Sequence, residues 1–143
     1  METSEDNLFK AEGYALMAAA FEVYNHLGAG FLEEVYQEAL ELELTARGIP
    51  FASRPHLRIQ FKDHILRKHY EADLLVHGGI VVELKAVRAL APEHEAQLLN
   101  ELKAARVRVG YLINFGAAPR LQWLRRVDSL SAAINEPQRF PSA

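Results

Sequence analysis

The sequence contains no cysteine. That removes a disulfide framework, a thiol nucleophile and any cysteine-ligated zinc site, and nothing present calls for oxidising secretion. Long apolar runs are missing as well. The longest near the start, Ala15 to Phe21, is too short to span a bilayer and follows acidic residues. Neither a secretory signal nor a transmembrane helix is expected, which leaves the cytoplasm as the default location. No two histidines have zinc-motif spacing, and no glycine-rich phosphate loop or nucleophile elbow occurs. Repeats, low-complexity tracts and Pro/Gly/Ser linkers are lacking too, so 143 residues offer no domain boundary. One domain is expected, with a core over about residues 12–127 and a polar C-terminal tail after Ser131.

A large charge of one sign is the last absence. Sixteen Lys+Arg face nineteen Asp+Glu, a formal net charge of −3, whereas a general nucleic-acid coat needs a basic excess. The distribution is uneven. Residues 1–50 hold ten acids and two bases, and the remaining 93 hold nine acids and fourteen bases. The chain is acidic first and basic afterwards. Half of its residues are hydrophobic and 24% charged, the balance of an ordinary globular protein.

Periodicity supplies the elements. Leu16, Ala20, Val23 and Leu27 recur at helical spacing over about Glu12 to Leu27, and Gly28-Ala29-Gly30 ends that helix. A second helix is expected from about Phe31 to Ala46, with Leu32, Val35, Ala39, Leu42 and Ala46 as its apolar stripe, stopped by Gly48 and Pro50. Leu57, Ile59 and Phe61 alternate with Arg58, Gln60 and Lys62, the period of a half-buried strand. A turn at Lys62-Asp63-His64 follows, then strands over Tyr70 to Val76 and Ile80 to Val87. Pro92 opens a helix from about Glu93 to Ala105 with Leu98, Leu99, Leu102 and Ala105 apolar. Val109 to Phe115 is continuous enough for a strand buried on both faces, and Leu121 to Val127 is a final strand. The order is ααβββαβ with a closing β. The late strand-helix-strand step implies a parallel pair, the hairpins imply antiparallel ones, and a mixed sheet flanked by helices follows.

The segment from Tyr70 to Val87 carries the chemistry. Directly opposed residues of an antiparallel pair share a face. A two-residue turn at Gly78-Gly79 would set Leu74 against Glu83 and Ala72 against Lys85. A three-residue loop, His77-Gly78-Gly79, instead pairs Val76 with Ile80, Leu74 with Val82 and Ala72 with Leu84, so one face becomes wholly apolar. The other then pairs Leu75 with Val81, Asp73 with Glu83 and Glu71 with Lys85. The longer loop is the one amphipathicity selects, with glycine at its left-handed position.

Opposed carboxylates are destabilising unless something positive lies between them. A divalent ion is the economical candidate, and carboxylate oxygen suits Mg²⁺ or Mn²⁺. Lys85, about 7 Å along the strand from Glu83, can reach a metal-bound water or a phosphate oxygen. Asp73, Glu83 and Lys85 thus supply parts for metal-assisted phosphodiester hydrolysis. A solvated face with a Glu71–Lys85 ion pair is the plainer alternative, against which stand the flanking Leu75, Val81 and Val87.

Asp73 and Glu83-x-Lys85 on adjacent strands, with a glutamine-bearing helix after them, resemble the PD-(D/E)xK nuclease superfamily. Gly30-Phe-Leu-Glu33-Glu-Val-Tyr36 is similar to the motif that names the GxxExxY protein family, a small bacterial branch of it. Ala72 to Val76, Val82 to Val87, His94 to Leu99 and Val109 to Gly116 continue the likeness in order, over about residues 12 to 127. Tyr24, Ala29 and Glu71 depart from the family's usual residues. The resemblance implies a restriction-endonuclease-like αβββαβ core with an extra N-terminal helix. It also implies Asp73 and Glu83 as metal ligands, Lys85 as the catalytic lysine, Glu33 as an accessory acid and Gln97 near the active site.

Three lesser signals stand beside these. Tyr36 lies on the Glu33 side of its helix and could donate to that acid or to a phosphate, while His94 suits either a ligand or a helix cap. Arg54, Arg58, Lys62, Arg67 and Lys68 gather on the first hairpin, and Arg106, Arg108, Arg120, Arg125 and Arg126 around the last strands, where either group could touch a nucleic-acid backbone. The expected function is a Mg²⁺- or Mn²⁺-dependent nuclease acting on DNA or RNA. The alternative is the same fold used as a non-cleaving nucleic-acid- or protein-binding module. The chain offers no separate DNA-reading element, so a homodimer or a protein partner is compatible with either.

Overall fold

The computed structural model describes residues 7–128; the tail expected after Ser131 lies outside them. Helix α1 (Lys10–Leu27) buries Leu16, Met17, Ala19, Ala20 and Val23, and its last turn closes where the Gly28 amide donates to the Tyr24 carbonyl. Helix α2 (Glu33–Ala46) opens with Glu33 and Glu34, whose charge suits the positive end of a helix. Its buried side is Tyr36, Gln37, Leu40 and Leu44. This corrects the stripe expected from Leu32, Val35 and Leu42, which are exposed. Apolar residues occupy two sides of this helix, and the i, i+4, i+8 run of Tyr36, Leu40 and Leu44 is the one that meets α1 and the sheet.

Strands β1 (Phe51–Ser53), β4 (Leu74–Val76), β5 (Ile80–Lys85), β6 (Val109–Asn114) and β7 (Gln122–Val127) form one sheet in the order β1-β4-β5-β6-β7. β2 (His56–Phe61) and β3 (His64–Glu71) form a separate two-stranded sheet. Helix α3 (Pro92–Ala105) links β5 to β6, and these two run parallel while every other pair is antiparallel. The expected mixed sheet flanked by helices is therefore present. β6 lies between β5 and β7 and is buried at every position, as a continuous apolar run requires.

Two hydrophobic clusters hold the layers together. On one face Leu74, Val76, Ile80, Val82, Leu84, Val109, Tyr111 and Ile113 pack against α1 and α2. On the other Val81 and Leu112 pack against Leu98 and Leu102 of α3, with Leu57 and Ala72 at the margin. The strand expected over Tyr70 to Val76 is two strands, and β1 adds a segment that the alternation pattern did not contain. Pro50 and Pro55 bracket β1, and Arg54 has a left-handed φ of 50°, so only three residues are extended there.

Candidate active site

The hairpin of β4 and β5 has the register that amphipathicity selects: Leu74 faces Val82, Leu75 faces Val81 and Val76 faces Ile80. The loop is His77-Gly78-Gly79, with φ of 54° at His77 and 67° at Gly78, and the Gly79 amide donates to the Val76 carbonyl. The pairing stops at Leu74. Ala72 and Asp73 do not continue the ladder opposite Leu84 and Glu83, and Glu71 pairs with His56 rather than Lys85. Both expectations are corrected by one event, because the chain leaves the main sheet here.

That departure builds the site. Strands β1 and β2 on one side, and β3 and β4 on the other, form one long hairpin that breaks at Arg54-Pro55 and Ala72-Asp73. Across the break the Arg54 amide donates to the Asp73 carbonyl (2.9 Å) and the Ala72 amide to the Pro55 carbonyl (3.1 Å). Freed from the ladder, the Asp73 carboxylate accepts the Leu84 amide at 2.7 Å through Oδ2. It takes the place of the strand acceptor that β4, ending at Leu74, no longer supplies. Gln37, buried on α2, donates through Nε2 to the Asp73 carbonyl (2.9 Å) and to Glu41 (2.7 Å). Asp73 is thereby fixed from the residue after β1, from α2 and from β5 at once.

Glu83 is only 8% exposed, and Glu101 of α3 is its near neighbour. The Glu83 pKa is pushed up to about 10, first by burial, then by Glu101 and the charge of Asp73, with Lys85 opposing. A solvated face is excluded for this residue. Glu33 also has a raised pKa, from burial first and Asp73 next, while Lys85 and Arg54 pull it down. Asp73 and Lys85 are thus electrostatic neighbours of both Glu33 and Glu83, and the four expected groups share one locality. A cleft of about 310 Å³ beside it is lined by Glu33, Glu34, Gln37 and Arg54. A larger apolar cleft, about 470 Å³, lies between α1 and strands β6 and β7 and contains none of these acids.

Gln97 is exposed and reaches the cluster indirectly, through Nε2 to Glu101 Oε2 at 3.4 Å. Among the described residues, no three of His, Asp and Glu are grouped to hold a metal ion. Tyr36 is buried, and its hydroxyl donates to the Gly28 carbonyl (2.5 Å) and accepts the Phe31 amide (3.2 Å). Its ring stacks on Phe115 at 4.7 Å. It latches the loop in which Gly30 holds a φ of 118°, rather than touching Glu33. His94 Nδ1 accepts the Ala91 amide at 2.9 Å, the capping role.

Three contributors had no sequence signal of their own. Glu101 stands beside Leu102 on an inward face, and Gln37 looks like any helix-surface glutamine. Asn114, fully buried, accepts the Val87 and Gly116 amides through Oδ1 (3.0 Å each) and donates to Gln122 (3.0 Å). It fastens the segment that follows Lys85.

Comparison with known proteins agrees with this architecture. The crystal structure of SSO0001 superposes with a TM-score of 0.52 at 16% identity, over 71% of this chain and 58% of that one. The chain therefore spans less than two thirds of that protein, and the likeness concerns the fold. No curated protein matches the sequence. The family model described as the PD-(D/E)XK nuclease superfamily matches residues 10–127 and so takes in both faces of the sheet and every acid above. The chain belongs to the PD-(D/E)XK nuclease superfamily.

Proposed function

We propose that this protein is a Mg²⁺- or Mn²⁺-dependent nuclease of the GxxExxY branch, hydrolysing DNA or RNA phosphodiester bonds. Asp73 and Glu83 are its metal ligands, Lys85 its catalytic lysine, and Glu33 and Gln97 its supporting residues. The observation that carries this reading is the break in the long hairpin. It frees the Asp73 carboxylate from the ladder and anchors it to the Leu84 amide, between Glu83 and Lys85 in sequence. The branch assignment is supported by the Tyr36 hydroxyl, which bonds Gly28 and Phe31 on either side of Gly30, in the loop before the Glu33 helix.

The donor set suits a hard cation. Its donors are carboxylate oxygens, and Glu83 Oε2 is buried with no hydrogen-bond partner. When bound, a divalent ion supplies a more acidic water and a counter-charge for the phosphate. Lys85, half-buried, contributes a positive charge for the phosphate oxygens and orients water against them. Arg54, Arg58, Lys62, Arg67 and Lys68 are all exposed on and beside the β2–β3 hairpin, where a phosphate backbone can meet them.

Cleavage of single- and double-stranded DNA and RNA with Mg²⁺, in the parent and in Asp73→Ala and Lys85→Ala, tests the proposal. Activity is expected in the parent alone. Equal cleavage by all three preparations would assign it to a contaminant. Nucleic-acid binding that persists in EDTA without cleavage in any metal would favour a binding module on the same fold.

A further inference from the structure

Glu101 projects from α3 between Leu98 and Leu102, the residues that seat this helix on the sheet, and only 2% of it is exposed. It meets Glu83, 8% exposed, which comes from β5. A buried carboxylate is costly unless its oxygens are met by donors or cations. Here the supply is short. Gln97 Nε2 serves Glu101 Oε2 at 3.4 Å, and Glu101 is a near enough neighbour of Glu83 to raise its pKa. Glu83 Oε2 and Glu101 Oε1 have no partner at all. One shared proton can join two of the four oxygens and leaves the others stranded. A dication can meet a free oxygen of each and cancel their repulsion, and one or two carboxylates plus waters is an ordinary Mg²⁺ or Mn²⁺ environment.

We propose that Glu101 binds the divalent cation together with Glu83, so that α3 contributes a ligand beyond the hairpin acids; this rests on the metal-dependent reading above. Gln97 is then a positioning residue, holding the Glu101 oxygen that is not used for the ion. Through the Leu98 and Leu102 contacts, the place of α3 on the sheet sets where that ligand stands.

The test is calorimetric titration of the full chain with MnCl₂, paired with thermal unfolding in EDTA. The parent should take up Mn²⁺, and Glu101→Gln should weaken uptake at least tenfold. In EDTA the same variant should melt as high as the parent or higher, because an amide offers Glu83 a donor and removes a like charge. A residue that merely packs would show the opposite pattern, a lower melting point with unchanged affinity. Glu101→Ala, free of any new hydrogen bond, should lose the ion equally and serves if the glutamine variant does not fold. Either variant binding Mn²⁺ within twofold of the parent overturns the assignment of Glu101 alone, provided that Asp73→Asn loses the ion. A parent that takes up no Mn²⁺ overturns the metal-dependent reading and this inference with it.

Discussion

The two faces of the five-stranded sheet are built on different terms. The face toward α1 and α2 is a continuous apolar cluster whose buried members include no acid and no base. The face toward α3 has a smaller cluster, in which Glu83 and Glu101 lie buried within three residues of Val81, Leu98 and Leu102. Both are covered by helices. The difference lies in how far each satisfies what it covers. The first face buries methyl and aromatic groups, for which close packing is enough. The second buries carboxyls and leaves two of their oxygens without partners. Apolar packing dominates one side of the sheet, and carboxyl oxygens without partners gather on the other.

The harshest way to break that contrast is on the apolar side. Leu84→Ala removes a fully buried side chain from the first cluster and should cost about 2–5 kcal/mol. Urea unfolding checks it, and a loss well under about 1 kcal/mol would mean that this face is not a packed core. Lys85→Ala, one residue away but facing the acids, should have the reverse profile. Cleavage is expected to fall about 10²- to 10³-fold, with unfolding free energy changed by no more than about 0.5 kcal/mol. Parallel losses of both would blur the two faces into one.

The acid side also has a pH signature. Glu83 holds its proton to about pH 10 when folded, against a reference of 4.5. The folded state therefore binds more protons than the unfolded state between those values. Stability from this group is full below about pH 4.5 and drains as pH rises toward 10. Glu83→Gln should flatten the fall of melting temperature in EDTA between pH 5 and 9, by about 2–4 °C for each kcal/mol regained. A parent whose melting point climbs over that range would contradict the buried, protonated acid. Tyr36→Phe is the mildest probe. It keeps the stacking on Phe115 but loses the bonds to Gly28 and Phe31, and should cost about 1 kcal/mol in the same urea assay.

Much of this was legible in the residues. The period-two run through Leu74, Val76, Ile80 and Val82 specified the β4–β5 register, because a slip by one would have buried Glu83 among the leucines of the first face. Alternation could not show where the ladder ends. Ala72 and Asp73 fit the pattern of β4, and what removes them is the left-handed backbone at Arg54 together with bonds to Pro55 and Gln37, all distant in sequence. The buried side of α2 departs from its expected stripe for a related reason. Spacing identifies the sides of a helix that are apolar, and only the packing partner decides which of two is buried. Glu101 had the weakest signal of all, since a glutamate at helical spacing looks solvated until a second carboxylate is found against it.

The break at residues 54 and 73 has a mechanical consequence. Beyond it the β2–β3 hairpin is an arm with its own two-stranded sheet, and its root on the returning strand is Asp73. Leu57 of this arm lies in one buried cluster with Leu98 and Leu102 of α3, the helix that carries Glu101, so the arm and the α3 acid share a support. The Gln37 bond ties the root of the arm to α2 as well.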